Sequence, residues 1–125
     1  MMEGRIDISD MERRKFNRFK IDLPVDYARL ETKRLKAGIA GDASEGGLMV
    51  YLHERMKIGT KLYVAVLFSM GFELTGVKAV SQVVWKDVGF EEGWARYRYG
   101  LKFLKVADDD LAKLRQLQTD LEIQS

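Results

Sequence analysis

Two short stretches of this 125-residue chain hold side chains whose types and spacing could do chemistry together. The first is "ERRKFNRF", with Arg13, Arg14, Lys15 and Arg18 within six positions. Arginine presents a fixed fork of donors to phosphate oxygens and a flat face for stacking on purines. It also suits the O6/N7 edge of guanine. The second is "GDASEGGL", Gly41 to Leu48. Asp42 and Ser44 are turn formers, and Gly46 and Gly47 allow positive φ and close backbone approach. Read alone, this stretch is a tight turn between strands. Beside the arginines it gains a second meaning. The carboxylate can accept from the N1–H and N2–H₂ edge of guanine, the hydroxyl can reach a phosphate or base, and a glycine admits a flat ring. The two stretches together describe a site for an anionic guanine nucleotide.

Other chemistries find less support. Cysteine is absent and His53 is the single histidine, so thiolate nucleophiles and transition-metal sites lack ligands. A triad could draw on Ser44 or Ser69 with His53, but no nucleophile elbow or phosphate-binding glycine loop is present. Lys+Arg 21 against Asp+Glu 19 gives a net charge of +2, too balanced for a general nucleic-acid coat. Interleaved Arg96, Tyr97, Arg98 and Tyr99 keep a single-strand-binding barrel in view. The N-terminal residues are polar and charged, and no apolar run is long enough to span a bilayer. These features predict a cytoplasmic protein without membrane insertion.

The elements that must position these residues follow from periodicity. Ile21, Leu23, Val25 and Tyr27 alternate with polar residues, which predicts a half-buried strand. Pro24 restricts that strand to an edge or to an outward-facing position. "LKAGIAGDAS", "LMVYL", "KLYVAVLFS", "FELTGVKAVSQVVWKDV" and "WARYRYGLKFLKV" read as further strands, with a bend or bulge at Gly76 and a "GFEEG" loop. In the last, Trp94, Arg96, Arg98, Gly100, Lys102 and Leu104 share one face. Leu111, Leu114, Leu117 and Leu121 recur at helical spacing, and Asp108 to Asp110 offer a cap and complement the helix dipole. The expected fold is mainly β: six antiparallel strands in a closed or nearly closed barrel, with a C-terminal α-helix. The expected organisation is a flexible segment over 1–11, then one domain over 12–125. Within it we expect an arginine arm at 12–18, a barrel at about 19–106 and a helix at about 108–122.

"RKFNR", Arg14 to Arg18, and "DASEGG", Asp42 to Gly47, resemble the RxxxR and (D/N)xSxxG motifs of PilZ domains. "LPVDY", "VVW" at Val83 to Trp85 and "RYGLKF" at Arg98 to Phe103 are similar too. The resemblance runs from about Glu12 to the terminal helix, with no departure at the motif positions. It implies a six-stranded antiparallel barrel that binds cyclic di-GMP, with the arginine segment wrapping the ligand. It implies no catalysis and no cofactor. The implied ligand-binding residues are Arg13, Arg14, Arg18, Asp42, Ser44, Gly46 and Gly47, with Trp85 near the site or at the barrel rim, or else in the core. In this family an arginine at the position of Arg13 is associated with two intercalated ligands per domain, so two per chain are expected. Signalling would pass through an unidentified downstream protein, with the chain a monomer or homodimer and no nucleic-acid polymer bound. The alternative is a PilZ-type adaptor that binds protein independently of nucleotide.

Overall fold

The computed structural model describes residues 17–88 and 97–124. Six strands come first: β1 (Phe19–Arg29), β2 (Lys36–Ser44), β3 (Gly47–Leu52), β4 (Lys61–Met70), β5 (Glu73–Val88) and β6 (Tyr97–Val106). The helix α1 (Asp108–Gln124) ends the chain. The strands close into an antiparallel barrel in the order β1-β2-β3-β6-β5-β4. This is the six-stranded barrel with a C-terminal helix that periodicity predicts. The segment 1–11, the arm residues 12–16, the "GFEEG" loop and Trp94 to Arg96 lie outside the described residues.

Alternation carries most of the folding information. Ile21, Val25 and Tyr27 point into the core from β1, as do Leu62, Val64, Val66 and Phe68 from β4. Pro24 lies one residue before the β1–β4 ladder begins at Val25. Residues 19–24 therefore pair with β2 alone, the edge-like setting that a proline needs inside a closed sheet. The expected irregularity at Gly76 is not there: it pairs with Leu67 in an unbroken β4–β5 ladder. The β5–β6 ladder shifts register instead: Val80 faces Lys105 but Ser81 faces Phe103, an extra residue on β6, and Val83 faces Leu101 but Trp85 faces Gly100, an extra residue on β5. A glycine weakens a strand without forcing a bulge. The bulges form where core side chains must stay inward as the barrel curves.

The helix buries Leu114 and Leu117 in the core, with Leu121 packed at its margin. The three aspartates occupy its first turn, where the dipole favours them. Asp110 does not act as a simple cap. Its carboxylate accepts from the backbone N–H of Lys78 on β5 at 3.1 Å, tying helix to barrel.

One buried hydroxyl locks the far loop. Tyr99 is fully buried on β6. Its O–H donates to the carbonyl of Glu54 at 2.7 Å and accepts from the N–H of Met56 at 2.8 Å. Burial holds this phenol above its ordinary pKa, so it stays a neutral donor. Tyr99→Phe leaves both loop groups without their partner. We expect a loss of about 1–3 kcal/mol in denaturant unfolding. Unchanged stability would show that the loop holds its place without this bond.

Candidate functional site

The site is built on the outer face of β2, β3, β6 and β5, at the end of the barrel where β1 begins. Ala40 and Ala43 are both fully buried, although they lie three positions apart. Strict alternation would send them to opposite faces. The strand solves this with an extra residue at Gly41: Ala40 pairs with Val50, and Asp42 with the adjacent Met49. Asp42 and Ser44 consequently both face outward. Opposite them β1 also accommodates an extra residue, since Lys20 pairs with Asp42 but Leu23 with Ala40. Asp22 takes up that irregularity with a left-handed backbone, φ 47°.

The hairpin that joins β2 to β3 is tight, with Ser44 paired to Gly47. The Ser44 hydroxyl accepts from the N–H of Gly46 at 3.1 Å, a local turn bond. The Gly46 carbonyl accepts from the N–H of Phe103 at 2.8 Å, which pins the hairpin to β6. Gly47 is needed for space and not for positive φ. A Cβ there would run into the carbonyl oxygen of Leu101 and lie 3.2 Å from the Cα of Lys102. Glu45, at the hairpin tip, receives two hydrogen bonds from Arg115 of α1, at 2.8 and 3.1 Å.

Asp42 is the electrostatic centre of this face. Burial pushes its carboxyl above the usual carboxylate range. Arg18, Arg98 and Lys20 pull it back down, and Asp22 opposes them. Arg18 is exposed just before β1. Arg13 and Arg14 lie outside the described residues, so of the arm's three expected ligand-binding arginines the structure describes this one.

A lateral row of paired residues crosses the outer face: Lys20, Asp42, Met49, Gly100 and Trp85. Adjacent strands are about 4.8 Å apart, so Asp42 and Trp85 are separated by about 14 Å along the curved sheet. Trp85 is half-buried on this face, not in the core. Its indole lies over Gly100, where a Cβ would collide with the ring nitrogen. The Arg98 guanidinium sits 5.8 Å from the indole centroid and donates to Asp87 at 2.7 Å. The Arg98 Nε is buried with no hydrogen-bond partner among the described residues.

Arg98 is the residue that sequence reasoning left out of the site. Its alternation with Tyr97 and Tyr99 signalled an outward face. Its approach to Asp42 depends on β3 pairing with β6, which local pattern does not reveal. The face thus offers the half-buried Asp42 carboxylate, guanidinium and ammonium groups around it, a small hairpin and a flat indole. That set suits an anion bearing planar, amide-edged rings. By contrast, Ser44 and Ser69 lie at the barrel end opposite His53, six residues of β3 separating Ser44's turn from the histidine. No triad forms between them.

The PilZ domain model matches residues 12–119. Among solved structures, the inhibitor of motility MotI/DgrA of Bacillus subtilis superposes with a TM-score of 0.74 at 16% identity. That match covers 90% of this chain and 52% of the other, so the chain spans about half of that relative's length. The PilZ domain of YcgR from Escherichia coli, solved with c-di-GMP, gives 0.68 at 15% identity, covering 90% of this chain and 93% of that one. The PilZ domain of CeSA from a cellulose-synthesizing bacterium gives 0.57 at 17% identity, covering 85% and 98%. At such identities these likenesses speak to the fold. No curated protein matches the chain closely enough to count as a relative. The family model over residues 12–119, together with the six-stranded barrel that carries its motif hairpin, shows that the chain belongs to the PilZ domain family.

Proposed function

We propose that the protein is a cytoplasmic receptor for cyclic di-GMP that works by binding and not by catalysis. The observation that carries this reading is Asp42: an outward, half-buried carboxylate among Arg18, Lys20 and Arg98, beside a hairpin with no room for a side chain at Gly47. A carboxylate kept partly dry and surrounded by cations is arranged for a partner with both donors and negative charge. A guanine amide edge supplies the donors and the ligand's phosphates supply the charge. YcgR has been solved with c-di-GMP, and MrkH is described as dependent on it; both share this fold. In our reading Arg13, Arg14 and Arg18 clasp the phosphates and guanine edges. Asp42, Ser44, Gly46 and Gly47 receive a guanine, and Trp85 borders the site. The arm closes over the ligand, and a protein partner reads the closed form.

Isothermal titration with cyclic di-GMP, GTP and a short single-stranded RNA tests the function. Only cyclic di-GMP should bind tightly; absence of its binding would overturn the reading. Each charge-assisted hydrogen bond contributes about 1.5–3 kcal/mol. Arg14→Ala or Arg18→Ala should therefore weaken binding by roughly tenfold to a hundredfold, leaving the melting temperature of the free protein unchanged. Parent-like affinity in both variants would remove the arm from the site.

Asp42 gives a sharper test because its two effects have opposite signs. Its folded pKa is raised, so its ionised form is disfavoured by folding. Its favourable contribution to stability is present in acid and is lost as pH rises through the folded pKa. Asp42→Asn should thus leave the free protein as stable as the parent, or more so, at neutral pH. The same variant should bind cyclic di-GMP more weakly, and the parent's affinity should fall as acid protonates Asp42. A variant that loses stability and keeps affinity would make Asp42 a structural turn residue only.

Arg13 sets the expected stoichiometry. A second dianion needs a further cation, and a guanidinium can stack on an exposed guanine while bonding a phosphate. The parent should take up two ligands per chain, and Arg13→Leu should move this toward one. A parent value near one by calorimetry, at ligand far above its Kd, would contradict it.

A further inference from the structure

The chain's charge is unevenly distributed. The β1–β2 turn region, residues 29–36, carries Arg29, Lys33, Arg34 and Lys36 against Glu31. The β3–β4 loop, residues 53–61, carries Arg55, Lys57 and Lys61 against Glu54. These two segments hold seven cations and two acids, in a chain whose net charge is only +2. The remainder therefore carries more acids than cations.

The two segments are one surface. Leu30 donates its N–H to the carbonyl of Lys61 at 3.2 Å. Glu54 gathers Arg29 at 2.8 Å, Lys36 at 3.1 Å and the Tyr27 hydroxyl at 3.0 Å. Arg29 also donates to the carbonyl of Arg55 at 3.1 Å. Between the segments lies a cavity of about 450 Å³ lined by Tyr27, Arg29, Thr32, Arg34, Lys36 and Glu54. Glu54 is already satisfied by its three donors. Arg34 is exposed at the cavity's rim. One large aliphatic on each segment is turned to solvent: Leu35, 71% exposed, next to Arg34, and Ile58, 60% exposed, farther along the loop beside the Gly59 that bonds Val83 of β5.

This surface is at the opposite end of the barrel from the Asp42–Gly47 hairpin, and it does not depend on what that hairpin binds. It is also held rigidly. Tyr99 fixes the loop through Glu54 and Met56, and the Lys33 N–H closes its turn on the Arg29 carbonyl at 2.9 Å. A rigid surface loses little entropy when something docks on it.

We propose that this end of the barrel is a docking surface for an acidic, extended peptide segment of a partner protein. One carboxylate enters the cavity against Arg34 and Lys36, and apolar side chains of the segment cover Leu35 and Ile58. Charge complementarity selects the acidic partner. Composition selects a peptide over the other anionic partners. Residues 29–36 and 53–61 contain no tryptophan, tyrosine or phenylalanine, and the aromatic residue that lines the cavity, Tyr27, is buried with its hydroxyl on Glu54. Membrane-surface anchors draw on such rings at the interface, and single-stranded nucleic acid requires them for stacking.

The test is fluorescence anisotropy with the full chain and a labelled peptide of leucine–glutamate–glutamate repeats. Three proteins are compared: the parent, Arg34→Glu, and Lys105→Glu. Lys105 is an exposed cation near the other end of the barrel, beyond the Lys102 that pairs with Gly47. It controls for net charge. Co-sedimentation with phosphatidylglycerol vesicles runs in parallel. The expected result is salt-sensitive peptide binding that Arg34→Glu weakens by about tenfold or more and Lys105→Glu leaves unchanged. Replacing leucine by serine in the peptide should weaken it further. Equal losses in the two variants, no peptide binding by the parent, or capture by vesicles in preference to peptide would each overturn the proposal.

Discussion

The extra residue at Gly41 is the constraint on which the functional face depends. Two buried alanines three positions apart, Ala40 and Ala43, can share the core only if β2 gains one residue between them. A strand out of register by one turns every side chain to the other face. Without the bulge, and with Ala40 kept inward, Asp42 and Ser44 would be directed into the barrel and Ala43 toward water. Gly41 fits because its position is crowded: a Cβ would lie 2.7 Å from the Met49 Cε and 2.9 Å from the Tyr51 ring. Across the ladder, Asp22 accepts a left-handed backbone to match. The core thus determines the direction of the polar motif.

The same geometry explains why the carboxylate is poised. Asp42 is drawn far enough into the surface for burial to outweigh the pull of Arg18, Arg98 and Lys20. A residue serving stability alone would gain nothing from that placement. Arg98 shares the imbalance, with a hydrogen bond to Asp87 and a buried Nε that lacks a partner among the described residues. Strand β6 connects the two ends of the molecule. Arg98 and Gly100 face the Asp42 side, while Tyr99 between them reaches inward to hold the loop at Glu54 and Met56. The polar face and the basic end are therefore built around a single strand.

Local pattern made much of this legible. The alternation of Ile21, Val25 and Tyr27 and the leucine spacing of the last segment specify a strand and a helix that the structure contains. The motif stretches stood out because their residue types make chemical sense together. What stayed hidden was whatever depends on partners distant in sequence. Period-two reading marks a strand but not its extra residue, so it reveals neither the shift at Gly41 nor those beside Ser81 and Trp85, and it suggests one at Gly76 that the ladder does not have. The demand for glycine at position 47 comes from the Leu101 carbonyl on β6, not from φ. The face that Trp85 takes follows from the shift beside it. Arg98 and the clustered cations of the two far turns needed the strand order before they could be placed.

The most direct test of the central claim is a residue-resolved NMR titration of the full chain with cyclic di-GMP. The account predicts perturbations concentrated at Arg18, Lys20, Asp42 to Gly47, Arg98 and the Trp85 indole N–H, with residues 30–36 and 53–60 little affected. Perturbations centred on the basic far end, or a titration that leaves Asp42 to Gly47 unmoved, would contradict it.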